Sequence, residues 1–409
     1  MKNPVLAVCL LSATMASAMP TVTQIESSQD VGTRAVTVNY AIADEPAVVT
    51  LSVQTNRGDG TYCDIGDANI NHAVGDVNVR VGIGTHSITW HPDLSWPDHI
   101  FHGDMVRIGV KAWATNAPPD YMVVSLQIPS NVMYYASAEA VPGGVGDVRY
   151  KTTHLLMRKI PARGVIWQMG SPTGEDANRE ADYETLRNVT LSEDYYMGVY
   201  ELTQKQFSLI NGSYWTCGYA GDDKDVHPQS RMGRDAFRGA GATYRWPQDG
   251  HAVDPNKRVA KLRKLTGIQF DLPTSAQWEY ACRAGKSGKW TTASGTLGAA
   301  GWYLDNGGSK THEVGLKEPN AWGLYDVHGN VGEITLDVYA AIASAGGATV
   351  TDPTGPDEPG AKHVVRGGSY AEQPYECRAA RQRGLDESGN NSFKDFIGFR
   401  LWAPAVQPY

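Results

Sequence analysis

Residues 366–383 read RGGSYAEQPYECRAARQR. A single thiol, Cys377, stands between a Gly-Gly turn and an arginine-rich stretch. Cysteine does chemistry as its thiolate, either as a nucleophile or as a soft metal ligand. Arg378 is adjacent and a neighbouring cation lowers a thiol's pKa, but no histidine in the segment can act as a base. The alternative is a structural cysteine, bridged or simply buried. Arg378, Arg381, Arg383 and Arg400 either pair with acidic residues or line a groove for an anionic ligand. Gly367 and Gly368 permit a turn at positive φ. His99 and His102, in WPDHIFH, stand at loose metal spacing and read as loop histidines.

The elements that must hold these residues follow from the rest of the chain. Its 409 residues leave room for two or three domains. A net charge of −8 without a basic stripe argues against a nucleic-acid partner. The 44 glycines and 22 prolines indicate a loop-rich fold. The N-terminus, MKNPVLAVCLLSATMASAMP, has a basic Lys2, an apolar run from Val5 to Leu11 and an Ala16-Ser17-Ala18 cleavage motif. It reads as a signal peptide over 1–18, so the mature chain is expected in a periplasm, at the cell surface or secreted. No later segment approaches the ~18 apolar residues of a membrane span. Cleavage leaves Cys63, Cys217, Cys282 and Cys377. An even count in an exported chain suggests disulfides, with three possible pairings.

Residues 24–130 alternate as short strands: Val36, Val38, Tyr40 and Ile42; Val49, Leu51 and Val53; Val106, Ile108, Val110 and Ala112. YMVVSLQI follows the turn APPD. This predicts an all-β sandwich of immunoglobulin or fibronectin type. The small, Gly-rich stretch ending in AVPGGVGDVR marks 131–149 as a linker, and 150–409 as the second domain. Short helices are expected there. Thr203 with Gln206, and Thr274 with Gln277, form capping boxes. Asn211-Gly212 closes the first helix. Asp254 as cap with Pro255 starts another, with Val259, Leu262 and Leu265 on its apolar face and Gly267 at its end. Trp278, Ala281 and Cys282 share one helix face, which buries Cys282.

Several strings of this second part occur in a recognisable order: WQMGSPTGE, YYMGVYELTQKQF, LPTSAQWEYACRAG, NAWGLYDVHGNVGE, VVRGGSY and GFRLW. Over about 155–403 the chain thereby resembles the formylglycine-generating enzyme (sulfatase-modifying factor) family. The resemblance implies an α+β, C-type-lectin-like fold with little regular secondary structure, here preceded by the β-sandwich. It also implies an activity: copper-dependent oxidation, by molecular oxygen, of the cysteine in a sulfatase CxPxR motif. The family does this with two cysteines between the GGSY turn and the RxAxR-like stretch, a pair of thiolates suited to Cu(I). This sequence has AEQPYEC there, with Cys377 alone.

The resemblance assigns further residues. It pairs Cys282 with Cys377 in a disulfide. It makes LYDVHGNVGE a calcium loop, with side-chain ligands Asp326 and Glu333 and carbonyl ligands Gly329 and Val331. Hard cations take such oxygens. Gly332 and Ile334 stand where the family's GNVWEW carries aromatic residues. Two functions compete. One is a non-catalytic binding protein, with a groove built from 371–376 and 384–397 that presents Glu372, Gln373, Tyr375, Glu376, Arg378 and Arg381 to a protein or glycan. The other is the copper oxidase acting on a sulfatase polypeptide, with Cys377 the only candidate catalytic residue.

Overall fold

The computed structural model describes residues 19–406 apart from 57, 98, 100–104, 216, 220, 240–243, 357–361 and 387–394. The expected signal peptide and His102 lie outside the described residues. His99 is a loop residue stacked on Trp96, with no metal partner beside it among the described residues.

The first part of the chain forms β1 (Thr21–Gln29), β2 (Val36–Ala43), β3 (Ala47–Asn56) and β4 (Tyr62–Asp64). Then come β5 (Ala73–Gly75), β6 (Arg80–Val81), β7 (Gly84–Trp90), α1 (Pro92–Ser95) and β8 (Val106–Ala114). One sheet runs β1-β2-β7-β5; the other runs β4-β3-β6, with β8 also paired on β3. Period-2 patterning does what it predicts. Val36, Val38, Tyr40 and Ile42 of β2 pack with Val49, Leu51 and Val53 of β3 in one core. On β8, Val106, Ile108, Val110 and Ala112 cover that core while staying half-buried.

The remaining strands are β9 (Tyr121–Ser125), β10 (Val132–Tyr135), β11 (His154–Ile160), β12 (Ile166–Met169), β13 (Arg187–Thr190) and β14 (Tyr195–Gly198). After the helices come β15 (Gly332–Val338), β16 (Val350–Thr351), β17 (His363–Arg366), β18 (Arg383–Leu385), β19 (Ile397–Gly398) and β20 (Trp402–Pro404). They build a five-stranded sheet, β10-β9-β11-β14-β20, and two smaller ones, β12-β13-β16 and β18-β17-β15-β19.

The expected domain limits therefore need correction. β9, assigned from sequence to the sandwich, pairs antiparallel with β11, Met122 opposite Met157. β10, assigned to the linker, is the edge of the same sheet. The physical reason is burial: every residue of β9 is buried, which requires cover on both faces. The rest of the linker is packed too. Val141 and Tyr150 join Tyr200 and Val314 in a satellite core, and the Tyr150 hydroxyl donates to Pro142 O at 2.7 Å.

The helices are α2 (Gln204–Asn211), α3 (Arg234–Arg238), α4 (Arg258–Thr266), α5 (Ser275–Arg283) and α6 (Leu297–Ala300). Both capping boxes form, at Thr203/Gln206 and Thr274/Gln277. Gly212 and Gly267 end their helices in the left-handed conformation, φ 86° and 74°. α4 starts later than expected, with Lys257 as its N-cap. Asp254 instead closes a local turn, accepting from Asn256 N–H at 2.9 Å. α5 is nearly encased: Trp278, Ala281 and Cys282 are buried as predicted, and so are Glu279, Tyr280 and Arg283.

Candidate functional site

Cys377 ends a 3-10 turn, Pro374–Cys377, directly beneath the Gly-Gly turn. Gly367 and Gly368 both take positive φ, 83° and 67°. A Cβ on Gly368 would lie 2.6 Å from Cys377 Sγ, so that glycine is what lets the thiol sit there. Cys377 is 0% exposed, and burial pushes its thiol up to about 12. Cys282, on α5, is also buried, with its thiol pushed up to about 12 by the same cause. His328 joins the two segments. Its Nδ1 donates to Cys377 O at 2.8 Å, and its Nε2 accepts from Thr291 N–H at 3.0 Å and lies 3.8 Å from Cys282 Sγ. Burial holds this imidazole down to about 4, so it is neutral, with its proton on Nδ1. The expected Cys282–Cys377 disulfide is a correction: both are free thiols, and the imidazole supplies the tie between their segments.

The arginines after Cys377 do not line a groove. Arg378 is fully buried and forks onto Glu184 at 2.7 and 2.8 Å, with Glu175 at 2.9 Å. Arg381 pairs with Glu180 at 2.7 Å and with Glu376 at 2.9 Å. Glu376 is thereby spent internally. Glu372 is too: it accepts from the Ser369 hydroxyl at 3.0 Å and pairs with Arg383. Gln373 caps the 3-10 turn, and the half-buried Tyr375 lends its carbonyl to Arg378 at 3.1 Å. The expected groove is corrected at Arg378, Arg381, Glu372 and Glu376, because a guanidinium sealed from water must be paired. Of its second wall, 384–397, residues 387–394 lie outside the described residues. The partners Glu175, Glu180 and Glu184 were missed in the sequence, although GEDANREADYE (174–184) is an acid-rich run matching RAARQR in charge.

The 324–333 loop holds a buried acidic centre. Asp326 sits at φ 57°, 1% exposed; its Oδ2 accepts from Gly315 N–H at 2.6 Å and its Oδ1 has no partner. Glu333 is gripped by Arg400 at 2.7 Å and accepts from Trp278 Nε1 at 2.6 Å. Glu201, which the sequence did not single out, accepts from Val331 N–H at 3.0 Å and from Asn330 Nδ2 at 2.7 Å. Burial, with Asp326 and Glu333 nearby, pushes the Glu201 carboxyl well up; burial also raises Asp326. Among the described residues, Arg400 is the only cation in ion-pair contact with any of these three carboxylates. Gly329 is tightly held: a Cβ there would lie 2.1 Å from Trp302 O. Among the described residues no three Asp, Glu, His or Cys side chains converge on one metal-sized point. A cation here would thus need carbonyl ligands, the role expected of Gly329 and Val331. Gly332 faces Val365 and Ile397, where a Cβ would meet Val365 Cγ1 at 2.8 Å, so no larger side chain fits there without a shift of its neighbours.

Comparison with known proteins identifies the family of the second part of the chain. A family profile described as Sulfatase-modifying factor enzyme 1-like domain matches residues 159–403, more than half of the chain. Among curated proteins, chaperone protein LppX of Paenibacillus barcinonensis is 30% identical over 178 residues, 36% of this chain and 63% of that protein. The formylglycine-generating enzyme of Streptomyces coelicolor is 34% identical over 32% of this chain and 45% of its own length. The Mus musculus formylglycine-generating enzyme is 32% identical over 32% of this chain and 38% of its own length. The chain thus spans less than two thirds of each of these relatives. Treponema denticola variable protein 1 superposes with TM-score 0.47 at 26% identity, over 62% of this chain and 96% of that one. PvdO from Pseudomonas aeruginosa gives TM-score 0.44 at 24% identity, over 61% and 94%. The fold is mixed α and β, preceded by a β-rich region, and the chain belongs to the sulfatase-modifying factor enzyme 1-like, or formylglycine-generating enzyme, family.

Proposed function

We propose that this chain is an exported, non-catalytic member of the family that works by binding a ligand or a protein. The observation that carries the reading is Cys377: it is the only cysteine between Ser369 and Arg381, it is 0% exposed, and its thiol is pushed up to about 12. A Cu(I) site needs thiolates that a metal can reach. Cys377 is protonated at neutral pH and sealed beneath Gly368, and Cys282 is equally buried, so these residues do not fit copper. One relative bears the name of a chaperone protein, which supports the view that this scaffold serves by binding.

Calcium fits better. Asp326 Oδ1 is a buried oxygen without a donor, in a centre whose carboxylates outnumber their one guanidinium. When bound, the ion would supply positive charge. Asp326 and the carbonyls of Gly329 and Val331 would hold it, with Glu333 already shared with Arg400. The expected result is a higher Tm on calcium addition, lost in Asp326→Ala.

An oxidase assay tests the main reading. The mature chain is loaded with copper and incubated in air with a CxPxR peptide, and the peptide's mass is followed. No conversion is expected, while an authentic enzyme converts the same peptide. Conversion abolished by Cys377→Ser overturns the reading in favour of the copper oxidase, with a sulfatase polypeptide as substrate. Export is checked by sequencing the mature N-terminus, which is expected at Met19.

A further inference from the structure

Many arginines of this domain follow one pattern. Arg366 pairs with Glu279, Arg378 with Glu184, Arg381 with Glu376, Arg383 with Glu372 and Arg400 with Glu333. Arg187, on β13, breaks it. Among the described residues no carboxylate lies within ion-pair distance of it. Its Nη2 contacts Met169 Sδ at 3.6 Å, and its Nε is buried with no acceptor. Of the five N–H donors in this part-buried fork, the Nε is buried and left without an acceptor. Leaving a guanidinium in that state is unfavourable unless something else completes it.

Arg187 opens onto a pocket of about 360 Å³. Pockets for small ligands run from roughly 300 to 1,000 Å³. The pocket lies where β13 and β16 face β15 and β17, under two loops, 340–343 and 353–356. Its apolar wall is Ala340, Ala341, Ile342, Ala343 and Val350, whose mostly short side chains leave the space open. The one acid lining it, Asp337, attracts Arg187 without reaching ion-pair distance, and its Oδ2 accepts from Ser275 N–H at 2.6 Å, at the start of α5. The loop is anchored from outside, since Ile342 N–H donates to Asp182 O at 2.7 Å.

We propose that this pocket is a binding site for a small apolar carboxylate, whose carboxylate forks onto Arg187 and whose apolar body lies along the alanine-rich loop. A bare anion would leave the apolar wall against water. A neutral ligand would leave the guanidinium unpaired. A carboxylate with a short hydrocarbon body satisfies both, because guanidinium and carboxylate match in planar, two-pronged geometry. The site shares no residue with Cys377, the acidic centre or the turn 371–376. It therefore goes beyond the binding reading above, and a positive oxidase assay would leave it standing.

The test is calorimetric titration of the full chain with N-acetyl-leucine, alongside its neutral amide. Saturable one-to-one binding of the acid is expected, with the amide weaker by about tenfold or more, the effect of losing one charge-assisted pair. Arg187→Met is expected to weaken the acid to the level of the amide. Arg187→Lys is expected to recover part of the loss, as a point charge without the fork. Ala341 is exposed where it lines the pocket, so Ala341→Trp is expected to abolish binding while the thermal melt stays unchanged. Equal binding of acid and amide overturns the proposal. So does acid binding that survives both Arg187→Met and Ala341→Trp, or no saturable binding of the acid to the unaltered chain.

Discussion

At Cys377 the neighbouring cation does not act as its sequence position suggests. Arg378 is adjacent, yet its guanidinium turns away to Glu184 and Glu175. Burial then governs the thiol and raises it. The partner Glu184 lies 194 residues away in the chain, so no local pattern could have named it. Because burial of Glu184 opposes its ionisation and the Arg378 fork restores it, Arg378→Met leaves a buried carboxylate unpaired. That change is expected to cost about 3–5 kcal/mol, read as a lower urea midpoint. Asp337 gives a prediction of the opposite kind. Burial raises its carboxyl from 3.8 to about 6 in the folded chain. Its neutral form is therefore the one the fold favours. The associated stability is fully present below pH 3.8 and is lost as pH rises through 6. Asp337→Asn is expected to match the unaltered chain at pH 4. At pH 7.5 it should be more stable by on the order of 1–3 kcal/mol, measured by urea unfolding at both pH values.

Elements were legible where a side chain speaks to its own backbone. Thr203 with Gln206 and Thr274 with Gln277 announce helix starts because the reciprocal bonds span three residues. Asp254 announced one falsely, since the same side chain serves a turn as readily as a helix. The two boxes also differ in what surrounds them, and this was not legible. Thr203 Oγ1 donates to Lys151 O at 2.8 Å, and Gln206 Nε2 donates to Tyr150 O at 2.9 Å and His154 O at 2.7 Å. The α2 box thus stitches the helix to the chain that enters β11, whereas the α5 box only caps. Thr274→Ala is expected to cost about 1 kcal/mol, the ordinary worth of a cap. Thr203→Ala is expected to cost more, because Lys151 O then loses its buried donor as well. Equal losses of Tm would contradict this difference.

For the whole molecule, the sequence described two bodies joined by a linker, and the chain instead threads strands of one into what looked like the other. The six family strings all fall after residue 155, so nothing in them pointed back to YMVVS. Its apolar run suits a strand buried on both faces, but a run does not say which sheet it joins. In the structure β9 is an interior strand, flanked by β10 and β11, and Met122 and Val124 are fully buried in the main core with Phe207, Leu262 and Phe399. Tyr134 N–H also donates to Asn78 O at 2.6 Å, so β10 leans on the sandwich as well. Two truncations separate these pictures. A chain beginning at residue 118 keeps β9 and β10 and sheds the sandwich; it is expected to be soluble and to unfold cooperatively. A chain beginning at residue 137, inside the expected linker, removes both strands. It leaves the edge of β11 unpaired and strips Met122 and Val124 from the core. It is expected to aggregate, or to unfold at a Tm lower by ten degrees or more, about what the loss of several kcal/mol produces in a domain of this size. If both truncations melt alike, β9 is dispensable and the boundary belongs where the sequence placed it.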